Sequence, residues 1–311
     1  MEKVLYILTG CTAAGKTAIA LELAVRHRME VVSCDSMLFY RGMDIGTAKP
    51  SPTEMERVPH HLIDLVPVDE TFSVGRYVPL AQQAVDQILS RGKRPLVVGG
   101  SGFYLKSFLE PVVDELEVGP AVRDRVAELE RTGGLQALTG ELLRLNPRGL
   151  GTLDPKNPRR VARALERCLA SGRSLAEIEA DFRALPPPFP GFEKRVCVLD
   201  RDSVELELRI DRRAREMVEG GLIEEVRRLR EQGIECNPAA ARAIGYRETL
   251  AWLDDPRRCS KEDLAARIAA DTRGLVRKQR TWFRGQLQGA RRAMAGEEAT
   301  SAEHALFGRE D

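Results

Sequence analysis

The residues with the clearest chemistry lie near the start of the chain, in the segment GCTAAGKT at positions 10–17. Its pattern, Gly10-x-x-x-x-Gly15-Lys16-Thr17, has phosphate-loop spacing and stands between the strand-like VLYILTG and the helix-like KTAIALELAVRH. In that context backbone N–H groups surround a phosphate, Lys16 adds a positive charge, and the Thr17 hydroxyl can bind Mg²⁺. The spacing therefore predicts a polyphosphate site with Mg²⁺ as its cofactor, against the alternative of a glycine turn that binds nothing.

The whole loop is expected to contact the phosphates, and Thr17 to contact the metal. The residues concerned are Gly10, Cys11, Thr12, Ala13, Ala14, Gly15, Lys16 and Thr17. The motif does not say whether these phosphates belong to ATP or to another donor, because a helix N-terminus accepts a diphosphate attached to any group.

An acidic residue at a second strand end bears on that choice. ATPases and kinases of this architecture carry an acid after an apolar strand, but the candidate strand PLVVGG ends in two glycines. Asp35 instead follows the apolar VVSC, and we expect it across the cleft at the carboxyl edge of the sheet. Position alone leaves two roles open for Asp35: a general base, or a helix cap or an outer support of Mg²⁺.

Composition bounds the classes of protein. The chain has 311 residues, 43% hydrophobic, with a net charge of +1, so bulk basicity does not indicate a nucleic-acid partner. The six cysteines form no Cys-x-x-Cys pair, which argues against a zinc site or a disulfide framework. No apolar run approaches the length of a membrane helix, and the N-terminus lacks a signal-peptide pattern. We expect a cytoplasmic protein without a membrane partner.

The elements that must position these residues alternate between strand and helix patterns. VLYILTG, EVVSCD, RPLVVGGSG and KRVCVLD are typical of strands, whereas the middle of the chain has only helical spacing. We predict an α/β fold of the P-loop NTPase type, three-layered around a central parallel sheet, from residues 1–114 and 192–290. Residues 115–191 are predicted to form a helical insertion, and residues 291–311, small and polar, a flexible tail.

Eight motifs, the phosphate loop among them, occur in one order along the chain. They are GCTAAGKT, SCDSMLFYRGMDIGTAKP, PHHLIDL, VVGGSGFYLKS, NPRRVARALE, GLIEEVRRL, RAIGYRE and TRGLVRKQRTWFR. Together they resemble the tRNA dimethylallyltransferases (tRNA isopentenyltransferases) over nearly the whole chain. The resemblance implies an enzyme that transfers the dimethylallyl group of dimethylallyl diphosphate to N6 of adenosine 37, just 3′ of the anticodon in tRNA.

The resemblance also implies roles for particular residues. The loop would hold the diphosphate of the prenyl donor rather than ATP, and Asp35 would remove a proton from N6. Lys16, Mg²⁺ on Thr17, and Arg213 would stabilise the leaving diphosphate. Arg209 and Arg213 stand at i and i+4 on one helix face, which on spacing alone also fits a solvated arginine face.

The target adenine must leave its stack, so the flanking RNA must be held by the protein. The resemblance assigns tRNA contacts to Asp35, Ser36, Met37, Leu38, Ser101, Arg123, Arg159, Arg160, Val161, Ala162, Arg163, Arg242, Ala243, Ile244, Gly245, Tyr246 and Arg247. A further stripe of Arg273, Arg277, Arg280 and Arg284 is either a phosphate-binding face or a solvated one. We expect a monomer whose two parts enclose the anticodon stem-loop.

The chain departs from the family pattern at four positions. Cys11 replaces a proline, Ala14 a serine, Leu38 a glutamine and Leu275 an aromatic residue. We expect altered affinity rather than lost function, because backbone donors carry most of the phosphate binding. The alternatives are an adenylate isopentenyltransferase that prenylates AMP or ATP, a P-loop small-molecule kinase, and a non-catalytic RNA-binding protein that uses the loop as a nucleotide switch.

Overall fold

The computed structural model describes residues 3–257, 259–296 and 299–308, and these residues form two units. The first unit contains the described residues up to Leu109 and from Phe189 onward, and the second runs from Glu110 to Pro188. Each unit has a hydrophobic core of its own. The predicted division into an α/β core and an insertion therefore corresponds to two separately packed parts.

The boundary between the units differs by a few residues from the predicted insertion, 115–191. Asp114 forms an ion pair with Arg167, which places it with the second unit. At the other end, the ring of Phe189 stacks on Phe108 with centroids 5.3 Å apart, inside the first unit's core. The proline-rich segment before Phe189 thus ends the insertion slightly earlier than its hydrophobic pattern indicates.

The first unit is built on six parallel strands. They are β1 (Lys3–Gly10), β2 (Met29–Ser33), β3 (His60–His61), β4 (Arg94–Gly99), β5 (Phe192–Asp200) and β6 (Arg291–Met294). Their order in the sheet is β3-β2-β4-β1-β5-β6. The α/β fold with a central parallel sheet is confirmed, as are the four predicted strands. The two short edge strands, β3 and β6, were not predicted.

The helices follow the strands in crossover connections. In chain order they are α1 (Lys16–Arg26), α2 (Pro52–Arg57), α3 (Val74–Ser90), α4 (Gly102–Lys106), α5 (Pro120–Leu145), α6 (Pro158–Ser171), α7 (Leu175–Ala184), α8 (Ser203–Glu219), α9 (Leu222–Glu231), α10 (Pro238–Ala241), α11 (Tyr246–Asp254), α12 (Lys261–Gln286) and α13 (Thr300–Phe307). Helices α5, α6 and α7 belong to the second unit. Within the described ranges, no helix combines the length and apolarity needed to cross a membrane.

The position of β1 in the middle of the sheet explains where the site lies. Leu5, Ile7 and Leu8 of β1 are fully buried between the neighbouring strands β4 and β5. The carboxyl ends of parallel strands share one edge of the sheet, where ligands of open α/β folds bind. The topology of the sheet therefore brings together the loop after β1, Asp35 after β2 and Ser101 after β4, although these residues are far apart in the sequence.

The expected flexible tail is wrong for the described residues 291–296 and 299–308. Strand β6 pairs with β5 from Arg291 to Met294, and α13 buries Leu306 completely. The ring of Phe307 stacks on His27 with centroids 3.9 Å apart. Alanine-rich segments look like tails because they lack large apolar residues, but small side chains here allow close packing against the sheet.

Leu306→Ala tests whether this docked helix stabilises the protein. Because Leu306 is fully buried, the substitution should lower the free energy of unfolding by about 2–5 kcal/mol. Urea denaturation followed by circular dichroism measures the loss. The matched control is Leu208→Ala, since Leu208 on α8 is 65% exposed and its replacement should change stability little. Equal stabilities for the two variants would mean that α13 does not contribute to the core in solution.

Candidate active site

Two positions in the loop between β1 and α1 have backbone conformations that favour glycine. Gly10 has φ of +154°, and a Cβ there would lie 2.2 Å from the carbonyl oxygen of Leu199 on β5. Gly15, the N-cap of α1, is left-handed with φ of +101°. These two glycines let the loop turn tightly, so that the N-terminus of α1 points into a cavity, as the motif predicts.

Lys16 folds back over the loop that precedes it. Its Nζ donates hydrogen bonds to the carbonyl oxygens of Gly10 at 3.0 Å and Cys11 at 2.9 Å. Burial lowers the pKa of Lys16, and the nearby Asp35 carboxylate opposes that shift. The ammonium is therefore held beside the loop and electrostatically coupled to Asp35.

Two arginines, Arg201 after β5 and Arg209 on α8, contact the backbone of the loop. The Nε of Arg201 donates to the Ala14 carbonyl at 3.2 Å, and the Nε of Arg209 donates to the Ala13 carbonyl at 3.0 Å. Both guanidinium groups thus brace the loop backbone. Arg209 was predicted from its spacing to Arg213, whereas Arg201 was not predicted, although its position directly after an apolar strand was a usable signal.

Arg213 lies on α8 one turn after Arg209 and is partly buried. Its Nη2 donates to the carbonyl oxygen of Thr47 at 3.2 Å. Burial lowers the pKa of Arg213, and Asp35 opposes that shift as well. Arg213 and Lys16 therefore form a pair of partly desolvated cations near one carboxylate, an arrangement that suits an anionic ligand between them.

Asp35 sits in the turn after β2. Its Oδ1 accepts the backbone N–H of Met37 at 3.1 Å, which is a local turn cap. Among the described residues, none hydrogen bonds to Oδ2. The side chain lines two cavities at once. The observed cap belongs to a turn and not to a helix, and it leaves Oδ2 available. The general-base role of Asp35 stays a prediction.

Two contacts near Asp35 join the ends of neighbouring strands. The hydroxyl of Ser101 accepts the backbone N–H of Ser36 at 3.0 Å, and the two serine hydroxyls are 3.2 Å apart. Gln279 on α12 accepts the Thr12 N–H at 2.9 Å and donates to the Gly100 carbonyl at 3.1 Å. Gln279 thus fixes the loop to the end of β4, a role that sequence reasoning missed.

Two cavities of the first unit meet at this site. One, of about 490 Å³, is lined by the loop with Lys16 and Thr17. The other, of about 520 Å³, has largely apolar walls that include Met217, Leu275 and Trp282. The residues that line both are Thr12, Asp35, Thr47 and Arg213. A charged compartment and an apolar one are therefore continuous across Asp35 and Arg213.

The tRNA residues predicted in the first unit do not share one surface. Those lining the 520 Å³ cavity are Asp35, Ser36, Met37, Ser101, Ala243, Ile244 and Tyr246. Leu38 lines only the loop cavity. Arg242 and Arg247 are exposed, although Arg247 already pairs with Glu248 and Asp271. Gly245 and Tyr246 are buried, so Tyr246 does not lie on the outer surface, and its tRNA contact stays a prediction for a base inside the 520 Å³ cavity.

The predicted arginine stripe on α12 is not one free surface. Arg273 pairs with Asp211 on α8, and Arg280 pairs with Asp200 at the end of β5. Arg277 and Arg284 remain exposed. Arg273 and Arg280 thus stabilise the core, because they lie on the side of α12 that packs against α8 and the end of β5.

In the second unit, Arg159, Arg160 and Arg163 on α6 are exposed and line a groove of about 780 Å³. Arg123 is also exposed, in the first turn of α5. Val161, however, is fully buried in this unit's core, and Ala162 packs against it. The predicted tRNA contact by the Val161 side chain is therefore wrong, because on a helix it faces away from its arginine neighbours.

The loop cavity offers a divalent cation the hydroxyl of Thr17 as a ligand. No cluster of three or more His, Cys, Asp or Glu side chains in the described residues has the arrangement of a metal site. Thr17 is exposed in the loop cavity, where its hydroxyl can join oxygens of a bound diphosphate. Such a donor set fits Mg²⁺, which favours few protein ligands together with phosphate and water oxygens.

Comparisons with known proteins agree with this geometry. The model of a family described as IPP transferase matches residues 38–286. The chain is similar to a tRNA dimethylallyltransferase of Opitutus terrae, 54% identical over 291 residues that cover 94% of this chain and 93% of that protein. It is also similar to the crystal structure of a tRNA isopentenylpyrophosphate transferase from Bacillus halodurans, with TM-score 0.69, 32% identity, and 99% and 95% of the two chains covered. A eukaryotic dimethylallyltransferase described as acting on tRNA aligns with TM-score 0.81 and 25% identity, over 99% of this chain and 77% of that one.

Proposed function

The chain belongs to the IPP transferase family, and from that premise we propose that it transfers the dimethylallyl group of dimethylallyl diphosphate to N6 of adenosine 37 in tRNA. The observation that carries the proposal is the meeting of two cavities at Asp35 and Arg213. The loop cavity offers cations and backbone donors to a diphosphate. The apolar cavity offers space for a hydrocarbon and for a base that has left its stack.

The residues at the junction suit the two bonds that change. N6 of adenine is a poor nucleophile because its lone pair is delocalised into the ring, so a base that takes its proton assists C–N bond formation. Asp35 stands between the cavities with Oδ2 available for that proton. The allylic C–O bond breaks on the other side, and the charge that develops on the diphosphate is stabilised by Lys16, Arg213 and loop N–H groups.

Magnesium is proposed as the cofactor of the loop. Thr17 would hold it together with diphosphate oxygens, and the ion supplies charge neutralisation to the leaving group when bound. Cys11 and Ala14, which replace the proline and the serine of the family pattern, leave this arrangement intact. Both side chains are buried, and the backbone N–H donors of the loop need neither the proline ring nor the serine hydroxyl. Arg201 and Arg209, which brace Ala14 and Ala13, hold the loop in the form that presents those donors.

The rival functions fit less well. Of the two strands that flank β1, β4 ends in glycine, and Asp200 at the end of β5 accepts hydrogen bonds from Arg280 at 2.7 and 3.1 Å, so neither offers the free acid that holds Mg²⁺ in a kinase. An adenylate isopentenyltransferase needs no second unit, whereas this chain carries one with exposed arginines on α6. A non-catalytic RNA-binding protein has no use for an apolar cavity beside the loop.

One incubation distinguishes these functions. The protein is mixed with labelled dimethylallyl diphosphate, Mg²⁺, unmodified tRNA and AMP, with and without ATP. We expect label in tRNA, independent of ATP and lost on chelation of Mg²⁺. Label in AMP would establish the adenylate activity, phosphate transfer from ATP would establish a kinase, and the absence of any transfer would contradict an enzymatic role.

The α6 arginines are proposed to contact the RNA backbone, and their removal should change the salt dependence of binding. Replacing Arg160 and Arg163 with alanine should weaken tRNA binding and flatten the slope of log affinity against log salt by about 0.7 for each lost contact. A fluorescence titration across a salt series measures the slope. Affinity for dimethylallyl diphosphate should stay unchanged, since the loop belongs to the other unit.

The control for that experiment is a pair of arginines in the same unit. Arg131 and Arg144 on α5 each pair with a glutamate three residues earlier, at 2.6 and 2.8 Å, and are largely exposed. Their double alanine variant removes the same charge but should keep the wild-type slope. If both double variants flatten the slope equally, tRNA senses only the net charge of the unit and α6 holds no specific contacts.

We also propose a monomer of the reducing cytoplasm. All six cysteines are free thiols, and Cys11, Cys34, Cys168 and Cys197 are buried, which suits a reducing compartment. Light scattering should give a mass near the chain's 34.6 kDa. A doubled mass would contradict the monomer while leaving the reaction untouched.

A further inference from the structure

A buried carboxylate outside the two cavities gathers an unusual set of donors. Glu225 on α9 is 2% exposed. Its Oε2 accepts the backbone N–H groups of Asp44 at 3.2 Å and Ile45 at 2.8 Å, and its Oε1 accepts the N–H of Gly46 at 3.3 Å. The hydroxyl of Tyr246 donates to the same Oε1 at 2.6 Å. Four donors from two distant segments therefore converge on one side chain.

The packing around this carboxylate leaves little freedom. Tyr246 is fully buried, and a Cβ on Gly46 would lie 2.5 Å from its ring, so glycine is the residue that fits against it. Burial and the neighbouring Glu225 raise the pKa of Tyr246 well above its usual range, which keeps the hydroxyl protonated as a donor. The segment 44–46 is thus held by hydrogen bonds on one side and by an aromatic ring on the other.

That segment leads directly to the diphosphate site. The next residue, Thr47, lines both cavities, and its carbonyl oxygen accepts the hydrogen bond from Arg213 at 3.2 Å. No other hydrogen bond of the Arg213 side chain joins it to a described residue. The place of the guanidinium therefore depends on where segment 44–46 holds Thr47.

We propose that Glu225 and Tyr246 are positioning residues that set the location of Arg213 in the diphosphate site, although neither lines the loop cavity. The inference rests on the proposed function and deepens it, because it identifies what holds Arg213 in place where the two cavities meet. It also gives Tyr246 a role that does not depend on its predicted tRNA contact. The ligand whose binding depends on Glu225 and Tyr246 is a diphosphate.

Glu225→Gln is the sharpest test, because all four partners are donors. A glutamine has one acceptor oxygen, and its NH₂ group would face N–H or O–H donors on the other side. We expect affinity for inorganic pyrophosphate in Mg²⁺ to fall by about 10- to 100-fold, as for loss of charge-assisted hydrogen bonds. Tyr246→Phe keeps the three N–H bonds and should cost about 3- to 10-fold. Glu224→Gln, on the exposed face of the same helix, should bind as the wild type does.

A double variant separates positioning from loss of stability. If Glu225 acts through Arg213, Glu225→Gln should change pyrophosphate affinity by less than about 2-fold once Arg213→Ala is present, because coupled sites are not additive. Affinity for tRNA, measured on the same samples, should remain near wild type in Glu225→Gln, because Glu225 lines neither cavity. Unchanged pyrophosphate affinity in Glu225→Gln, or effects that multiply in the double variant, would overturn the proposal.

Failure of the proposed function would look different from failure of this inference. A wild-type protein that transfers no label from dimethylallyl diphosphate to tRNA contradicts the function, while the pyrophosphate titrations still report on Arg213. If the wild-type protein transfers label and the variants bind pyrophosphate with the same affinity as the wild type, only the positioning role is contradicted.

Discussion

Asp35→Asn is expected to lower the rate of dimethylallyl transfer by about 10²- to 10⁴-fold, the range for loss of a general base. Asparagine has nearly the same shape, and its side-chain oxygen can still accept the Met37 N–H that Oδ1 accepts now. The substitution therefore preserves the turn after β2 and removes only the basicity. Single-turnover measurements with saturating tRNA and dimethylallyl diphosphate report the chemical step, and tRNA binding should change little.

The same experiment decides between the two roles that position left open for Asp35. If the side chain serves only as a turn cap, the asparagine variant turns over at the wild-type rate, whereas Asp35→Ala loses the cap and with it stability. Asp86→Asn is a suitable control, because Asp86 on α3 is exposed and accepts hydrogen bonds from Gln82 at 3.2 Å. A wild-type rate in both asparagine variants would remove Asp35 from the chemistry.

The fold was predictable because its signals are local. Fully buried parallel strands appear as short apolar runs, and Leu5, Ile7 and Val97 in the observed core lie within two of the runs that predicted strands. The phosphate-loop spacing fixed the first turn, since Gly10 and Gly15 adopt backbone conformations that other residues rarely take. From those features, the carboxyl edge of the sheet follows as the place of the site.

The edges of the sheet were not predictable for a related reason. Strand β3 has two residues and β6 has four, too short to show a period of two. The alanines of α13, such as Ala302 and Ala305, contribute little hydrophobicity each, and only their contact with β5 and β6 shows that they are buried. A docked alanine-rich helix and a flexible tail therefore have nearly the same composition.

The supports of the site were missed because they are separated from it by long stretches of chain. Gln279 contacts Thr12 across 267 positions, and Glu225 contacts Ile45 across 180. A single glutamine or glutamate on a helix is normally a surface residue, and no spacing rule separates those that turn inward. The burial of Val161, by contrast, was predictable from helical spacing, because a residue between Arg160 and Arg163 lies on a different face of α6. The family resemblance assigned tRNA contacts to all residues from Arg159 to Arg163 without regard to their faces.

Arg213→Ala is expected to lower kcat by about 10²- to 10³-fold, the loss found when one preorganised donor to a developing negative charge is removed. Arg213 is the cation that lines both cavities, and it is partly desolvated, so solvent screens its charge little. Its donors can bind the diphosphate in a fork as the allylic C–O bond breaks. Pre-steady-state transfer rates and a dimethylallyl diphosphate titration, both at fixed salt, measure the two consequences.

The effect should be specific to the leaving group rather than to charge on α8. Arg215→Ala removes the same charge from an exposed position two residues away and should leave transfer and donor affinity unchanged. Arg213→Lys should recover only part of the rate, because an ammonium restores the charge without the planar fork. Affinity for tRNA should be equal in all three variants, since Asp35 and the walls of the apolar cavity are intact. If Arg213→Ala instead weakened tRNA binding at an unchanged donor affinity, the guanidinium would belong to the RNA contacts, and the diphosphate would be held by Lys16 and the loop without it.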